Sequence, residues 1–525
     1  MASENNVVDT NTVDFRLMRK FLIVGVEGGT YFPGEKAFVR EHAACFDRLI
    51  ADRRGEEVVA EIVRCAREDS VVDRKSLIFA LASCARNGVD PKTKSAAYKA
   101  LPLICTDAKQ LFSFIDYCET LSGPTSGWGR GHRNAIGNWY HSFAAEDLAR
   151  IVTRNIQSGG WSHVDVLRLA HVHPKNDAIG LVLMYIVRGY NVVKKLIESD
   201  GLSSDLDALT KFLTDVHTLK HSHDEHQVAC LITEHKFSLE FIPTWMSRSK
   251  EVWLSLIRIM PISDMVRLLG RMSSIGLLEP LSDASKAVIE RLKDENAIQR
   301  EKLQPFDLLI AMKTYESGKG DKGRMKWAPN CNVLDAVTKA FYNSIKVLKP
   351  TNQRYLLAVD VSGSMAYGSV NGCHALSPAV TAAALSMTIA RTEKDYQMVA
   401  FSTGITPVKL TPEMDLLDVC KEIAEIPTGG TDCALPILWA MEQKKSVDVF
   451  IVLTDCETLA GQIHPVQALQ QYRHILNIQN SKLIICALTS GGFTIADPMD
   501  HGMLDVAGFD IGAAKVIRSF IERNH

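Results

Sequence analysis

Residues 355–365 read YLLAVDVSGSM, an apolar, β-favouring run that stops at an aspartate, two serines and a glycine. A short, nearly continuous apolar run fits a strand buried on both faces of a parallel sheet. Its polar tip sets Asp360, Ser362 and Ser364 at the strand's carboxyl end, where open α/β sheets bind ligands. Three runs of the same kind follow, QMVAFST, DVFIVLTD and KLIICALTS, with helical patterns between them: SPAVTAAALSMTIARTE, DLLDVCKEIAEI, CALPILWAMEQ and PVQALQQYRHIL. This alternation predicts a doubly wound α/β domain over residues 351–525.

Upstream the grammar differs. From about residue 56 to 345, apolar residues recur at helical spacing, as in EEVVAEIVRCARE, SLIFALASCARNG, AEDLARIVTRNIQSGG, HVDVLRLAHVHP, AIGLVLMYIVRGY, VWLSLIRIMP and DMVRLLGRMSS. Helices this short cannot bury an apolar face alone, so successive ones must stack. Without a strict repeated consensus, residues 16–350 read as an irregular HEAT-like α-solenoid, with one large helical bundle as the alternative. Residues 1–15 read as a polar tail.

At 525 residues the chain exceeds one core, and 46% hydrophobic with 23% charged residues describes a folded protein. No stretch approaches the roughly 20 apolar residues of a membrane span. The twelve cysteines lack a C-x-x-C pair, and several sit inside apolar helical patterns, which fits free thiols in a reducing, intracellular setting. Net charge is −2, divided as −6 over residues 351–525 and +4 over residues 1–350. A polyanion partner therefore belongs with the N-terminal part.

Three polar clusters mark the α/β domain: Asp360-x-Ser362-x-Ser364, Thr431 in PTGGTDC, and Asp455 in LTDCET. Hydroxyls with two carboxylates are hard oxygen ligands suited to Mg²⁺. The set resembles the metal-ion-dependent adhesion site of von Willebrand factor A domains. That resemblance implies Ser362, Ser364 and Thr431 as direct ligands, with Asp360 and Asp455 acting through waters. The simpler alternative is a turn whose aspartates cap the following helices. Catalytic patterns fail: Ser364 lacks the glycines of a nucleophile elbow, and no lysine completes a Walker loop. His374 and Glu457 remain as candidate bases for a metal-dependent hydrolase.

RLMRKFLIVGVEGGTYFPGEKAF (16–38), RGHR (130–133), GGWSHVDVLRLAHVHP (159–174), YESGKGDKGRMKW (315–327), the D-x-S-x-S strand, TGGTDC and GGFTIADP (491–498) occur in order. Together they resemble the 60-kDa Ro autoantigen family, the TROVE-domain RNA-binding proteins. The family implies a HEAT-like ring closed by a von Willebrand A-like domain. It implies binding of Y RNAs and of misfolded noncoding RNAs whose single-stranded 3′ ends enter the hole, in RNA quality control and without catalysis. A monomeric protein in a cytoplasmic ribonucleoprotein is expected, with the nucleus as a second location.

By the family's motif, His171 in RLAHVHP is the RNA-binding histidine, with Arg154 upstream as a matching basic position and Arg168 beside it. Ser158 stands where the family has another basic residue. A histidine in the last turn of a helix is favoured as a cation and can donate to phosphate; packing on Leu167 is the alternative. Arg130, His132 and Arg133 are read as a Gly-rich loop approaching phosphate, or as a solvated turn. Lys322 and Arg324, with Lys319, Lys326 and Trp327, offer cations beside a stacking platform. HSHDEH (221–226) suggests zinc, but a solvated charged helix explains it better. The rival function is a scaffold that grips an acidic protein ligand through its metal site.

Overall fold

The computed structural model describes residues 13–27, 30–34, 38–67, 74–87, 90–122, 127–199, 203–320, 324–455, 461–489, 492, 495–497 and 499–522. Its strands, in chain order, are β1 (Thr30–Tyr31), β2 (Gln157–Ser158), β3 (Trp161–Ser162), β4 (Arg354–Asp360), β5 (Asp395–Phe401), β6 (Ile405–Val408), β7 (Val449–Thr454), β8 (Lys482–Ala487) and β9 (Met503–Ala507). Two compact units emerge: Met1–Ala37, Ser70–Val72 and Pro261–His525 form one, Phe38–Asp69 and Asp73–Met260 the other. The change of grammar near residue 350 falls inside the first unit.

The first unit is built on a seven-stranded sheet ordered β1-β9-β8-β7-β4-β5-β6. All its neighbours pair parallel except β5 with β6. Every residue of β7 and β8 but Lys482 is buried, which explains their unbroken apolar sequences. Tyr472 anchors one face, stacking edge-on against Phe450 at 4.9 Å and accepting the Val447 amide at 2.7 Å. The chain runs outward from β4 to β5 and β6, then returns to the other side of β4 as β7. That reversal opens a crevice at the carboxyl ends of β4 and β7, where Asp360 and Asp455 fall.

Two additions to this sheet were not expected. The N-terminal GGTYFP segment supplies β1, which pairs parallel with β9 through Thr30↔Asp505 and Tyr31↔Val506. The Tyr31 hydroxyl donates to Asp510 Oδ1 at 2.8 Å, and the preceding helix Val13–Val24 packs on the last one, Ile511–Glu522. This helix starts three residues inside the stretch read as a tail. Helices Ile262–Ile345 also belong to this unit: Phe306 meets Phe509 at 5.1 Å, and Arg391 lies over Tyr342 at 4.7 Å.

In the second unit helices pack on near neighbours in the chain, as Arg74–Arg86 does on Pro91–Ile104 and Ala108–Thr120, the pattern of a solenoid. Arg74–Arg86 shows the logic: Leu77, Ile78, Phe79 and Leu81 are all buried because neighbours cover it on several sides. Each such side chain contributes roughly 1.5–3 kcal/mol. Asp90, Asp107, Ser162, Asn176, Asp224 and Ser249 cap helix starts with their side chains, satisfying amides that have no partner within the helix. Gly159 and Gly160, both at positive φ (59° and 83°), form the two-residue turn joining β2 to β3. Ser158 lies in that hairpin.

Candidate metal centre and candidate nucleic-acid interface

At the tip of β4 the Asp360 side chain is wholly buried and fully engaged. Its Oδ1 accepts the Ser362 amide at 2.7 Å; its Oδ2 accepts the hydroxyls of Thr431 at 3.1 Å and Thr454 at 2.7 Å. A donated hydroxyl proton leaves the threonine lone pairs turned away from Asp360, toward whatever lies in the crevice. Ser362 and Ser364 follow, their hydroxyls 3.1 Å apart. Asp455 is 5% exposed, and its Oδ1 is buried without a hydrogen-bond partner among the described residues.

Asp360, Ser362, Ser364, Thr431 and Asp455 thus gather at one strand-order reversal. The orphaned Asp455 oxygen and the paired hydroxyls fit a hard divalent cation, because an unpaired buried carboxylate oxygen is costly unless a charge or donor meets it. Thr454 was missed in the sequence; the sign was a polar residue closing a buried apolar strand. Glu457 lies outside the described residues. His374 is exposed and meets the Ser369 hydroxyl at 3.1 Å.

The cationic residues divide more sharply. His171 sits just past the helix His163–Ala170, as its C-cap in the left-handed region (φ 51°, ψ 49°), and its side chain is exposed. It is therefore beyond the last turn, its backbone N–H bonded to the Leu167 carbonyl, and it is exposed rather than half-buried. Arg168 is exposed in that last turn and forms no side-chain bond among the described residues.

RGHR is not a loop. It opens the helix Arg130–His141, capped by Gly129. Arg130 and Arg133 are exposed and also form no side-chain bond among the described residues. They share a helical stripe with Gly137 and His141. A Cβ on Gly137 would lie 4.0 Å from Val172, and His141 Nε2 is 2.9 Å from the His173 carbonyl. This stripe thus leads to the segment that carries His171.

Two assigned residues leave the group. His132 is 1% exposed, edge-on to Trp128 at 4.7 Å, with neither ring nitrogen partnered among the described residues. Burial, aided by Arg86 and Lys94, pushes its pKa down to about 4, so it is a neutral core residue and not a phosphate contact. The sequence misled because a histidine between arginines lies on the opposite side of a helix. Arg154 is exposed but spent on Glu240, at 3.0 Å. Against the cost of burial, the nearby Ser238 hydroxyl and the hydrogen bond from Arg154 bring Glu240 down to about 2.

Lys322 lies outside the described residues. Arg324 is exposed, beside an antiparallel Lys319↔Lys326 bridge. Trp327 is no open platform: its Nε1 donates to the Tyr315 carbonyl at 2.9 Å, and a Cβ on Gly270 would come within 2.5 Å of its ring. HSHDEH is not one helix either, since His221 ends one and Asp224 caps the next. Among the described residues, Asp215, Glu234 and His235 could converge on a metal, but Lys211 already bridges Asp215 and Glu234.

The fold and crevice define a helical protein carrying a von Willebrand factor A-type domain. The TROVE domain matches residues 3–314 and the Ro60 vWA domain residues 354–521. The chain belongs to the TROVE-domain Ro60 family. It is 31% identical to the RNA-binding protein RO60 of Caenorhabditis elegans, over 96% of this chain and 87% of that one. To the RNA-binding protein RO60 of Deinococcus radiodurans it is 34% identical, over 96% and 92%. The crystal structure of the Deinococcus radiodurans Ro (RSR) protein superposes with a TM-score of 0.86 at 33% identity, covering 97% of this chain and 99% of that one.

Proposed function

We propose that this protein is the RNA-binding component of a small ribonucleoprotein, which binds and stabilises Y RNAs and takes up misfolded noncoding RNAs by their single-stranded 3′ ends, in RNA quality control. The observation that carries this reading is a set of exposed cations, Arg130, Arg133 and Arg168, without side-chain partners among the described residues, with the exposed His171 three residues after Arg168. Exposed guanidinium groups on helix turns suit phosphates, which accept paired N–H donors. The relatives' names and their near full-length similarity support it. Binding, not catalysis, is the role proposed, in the cytoplasm.

A second site is proposed in the crevice, on the strength of the unpartnered Asp455 Oδ1. Ser362, Ser364 and Thr431 would hold Mg²⁺ through their hydroxyls, with Asp360 and Asp455 supporting them. When bound, the ion offers an open position to a carboxylate of a protein ligand. The two functions are compatible in one chain.

The RNA reading is tested by titrating a Y RNA against the protein at several salt concentrations. Arg133→Gln and Arg168→Gln should each weaken binding and lower the salt slope by about 1. Unchanged slopes in both variants would remove the cationic face from the RNA site.

A further inference from the structure

Sharing no residue with either site, the helices Glu225–His235 and Lys250–Ile259 bring a thiol, an imidazole and a carboxylate together. His226 and Cys230 stand one turn apart on the first helix, and Glu251 lies in the first turn of the second. Glu251 Oε1 is 2.7 Å from His226 Nδ1, and His226 Nε2 is 3.7 Å from the Cys230 sulfur. A carboxylate accepts the Nδ1 proton, so the neutral ring presents its Nε2 lone pair to the thiol. Nucleophile, base and orienting acid in this order are the arrangement that activates a cysteine.

Exposure separates Cys230 from the other thiols of its unit. Cys45, Cys65, Cys84, Cys105 and Cys118 are buried, whereas Cys230 is open to solvent. Burial drives the Cys84 thiol up to about 12, leaving it inert. The hydrogen bond His226 donates to Glu251 raises its pKa, with the Glu251 charge and then Asp224 adding to this, and so favours its holding a proton.

We propose that Cys230 is a modification site, a nucleophilic thiol that exchanges with small disulfides of the glutathione type, with His226 as its base and Glu251 as a positioning residue. His226 Nε2 takes the thiol proton, and the Cys230 sulfur attacks one disulfide sulfur. The new S–S bond forms as the old one breaks; the departing thiolate carries the electron pair and recovers the proton from His226. No second exposed thiol in this unit can displace the adduct, so the product is a mixed disulfide.

The test uses the reduced full-length protein and oxidised glutathione at pH 7, with adducts followed by mass spectrometry of the peptides containing Cys230 and Cys331. Cys331 is the other exposed thiol among the described residues and serves as an internal reference. Cys230 should react about tenfold faster, since an unassisted thiol is only a few per cent ionised at pH 7. His226→Gln should bring Cys230 down to the Cys331 rate without changing Cys331, and Glu251→Gln should displace the pH profile of Cys230 alone. Equal rates for the two cysteines in the unaltered chain, where no variant can misfold, would overturn the proposal. So would a Cys230 rate untouched by His226→Gln in a folded protein.

Discussion

The oxygen crevice and the cationic face use opposite strategies. In the crevice, buried groups hold one another: Asp360 accepts three hydrogen bonds from residues on three separate segments. On the cationic face, Arg130, Arg133 and Arg168 stand on helices and have no partner for their charges among the described residues. A hard ion demands fixed oxygens at short range, whereas a flexible phosphate backbone tolerates mobile guanidinium groups. Arg154 and His132 mark the limits of that second strategy, since an ion pair claims one and burial the other.

The contrast breaks most visibly at Asp360. Asp360→Ala should reduce divalent-ion affinity by about 100-fold, because it removes the acceptor that orients Thr431 and Ser362. Calorimetric titration with Mg²⁺ measures this, and RNA affinity measured alongside should stay within about twofold, as expected for sites that share no residue. A folded variant that loses RNA would merge the two sites.

His132 sharpens the contrast from the other direction. Its pKa is depressed to about 4 in the folded chain, so the unfolded chain binds the extra proton between about pH 6.5 and 4. The neutral ring contributes stability that is fully present above about pH 6.5 and is lost as pH falls toward 4. His132→Phe should therefore reduce the acid slope of stability by about 1.4 kcal/mol per pH unit in that window. RNA affinity should not change. Urea unfolding at several pH values reads the slope.

The smallest effect is expected at His171, whose left-handed backbone is unfavourable for a residue with a Cβ. His171→Gly should raise stability by up to about 1 kcal/mol while weakening RNA binding. A functional residue held in strain gives these opposite signs; a residue serving only the fold would not. Chemical denaturation and RNA titration on one preparation decide it.

Both kinds of site were legible to different depths. The strands YLLAVD, QMVAFST, DVFIVLTD and KLIICALTS correspond to β4, β5, β7 and β8, because strands buried on both faces leave unbroken apolar runs. β1 and β2 are two residues each, too short for any period, and β9 hides within GMLDVAGF, interrupted by the buried Asp505. Burial raises the Asp505 pKa to about 6, against the hydrogen bonds that the Ala496 and Ile495 amides donate to it. The crevice was legible because its hydroxyls and carboxylates stand at or just after strand ends, with Asp360, Ser362 and Ser364 at alternate positions. The cationic face was not, since a helix turns charges away from one another: only packing told Arg133 from His132, and only Glu240 told Arg154 from Arg168.

The pairing of β1 with β9 ties residues 30–31 to residues 505–506. During synthesis, a strand made near the start must wait unpaired until almost the whole chain has emerged. Such a long-range pairing is closed late, after the cost of ordering everything between has been met. Once in place, the short strand covers the edge of β9 that would otherwise offer a row of open amides and carbonyls to another molecule. The earliest residues of the sheet thus act as its last seal against self-association.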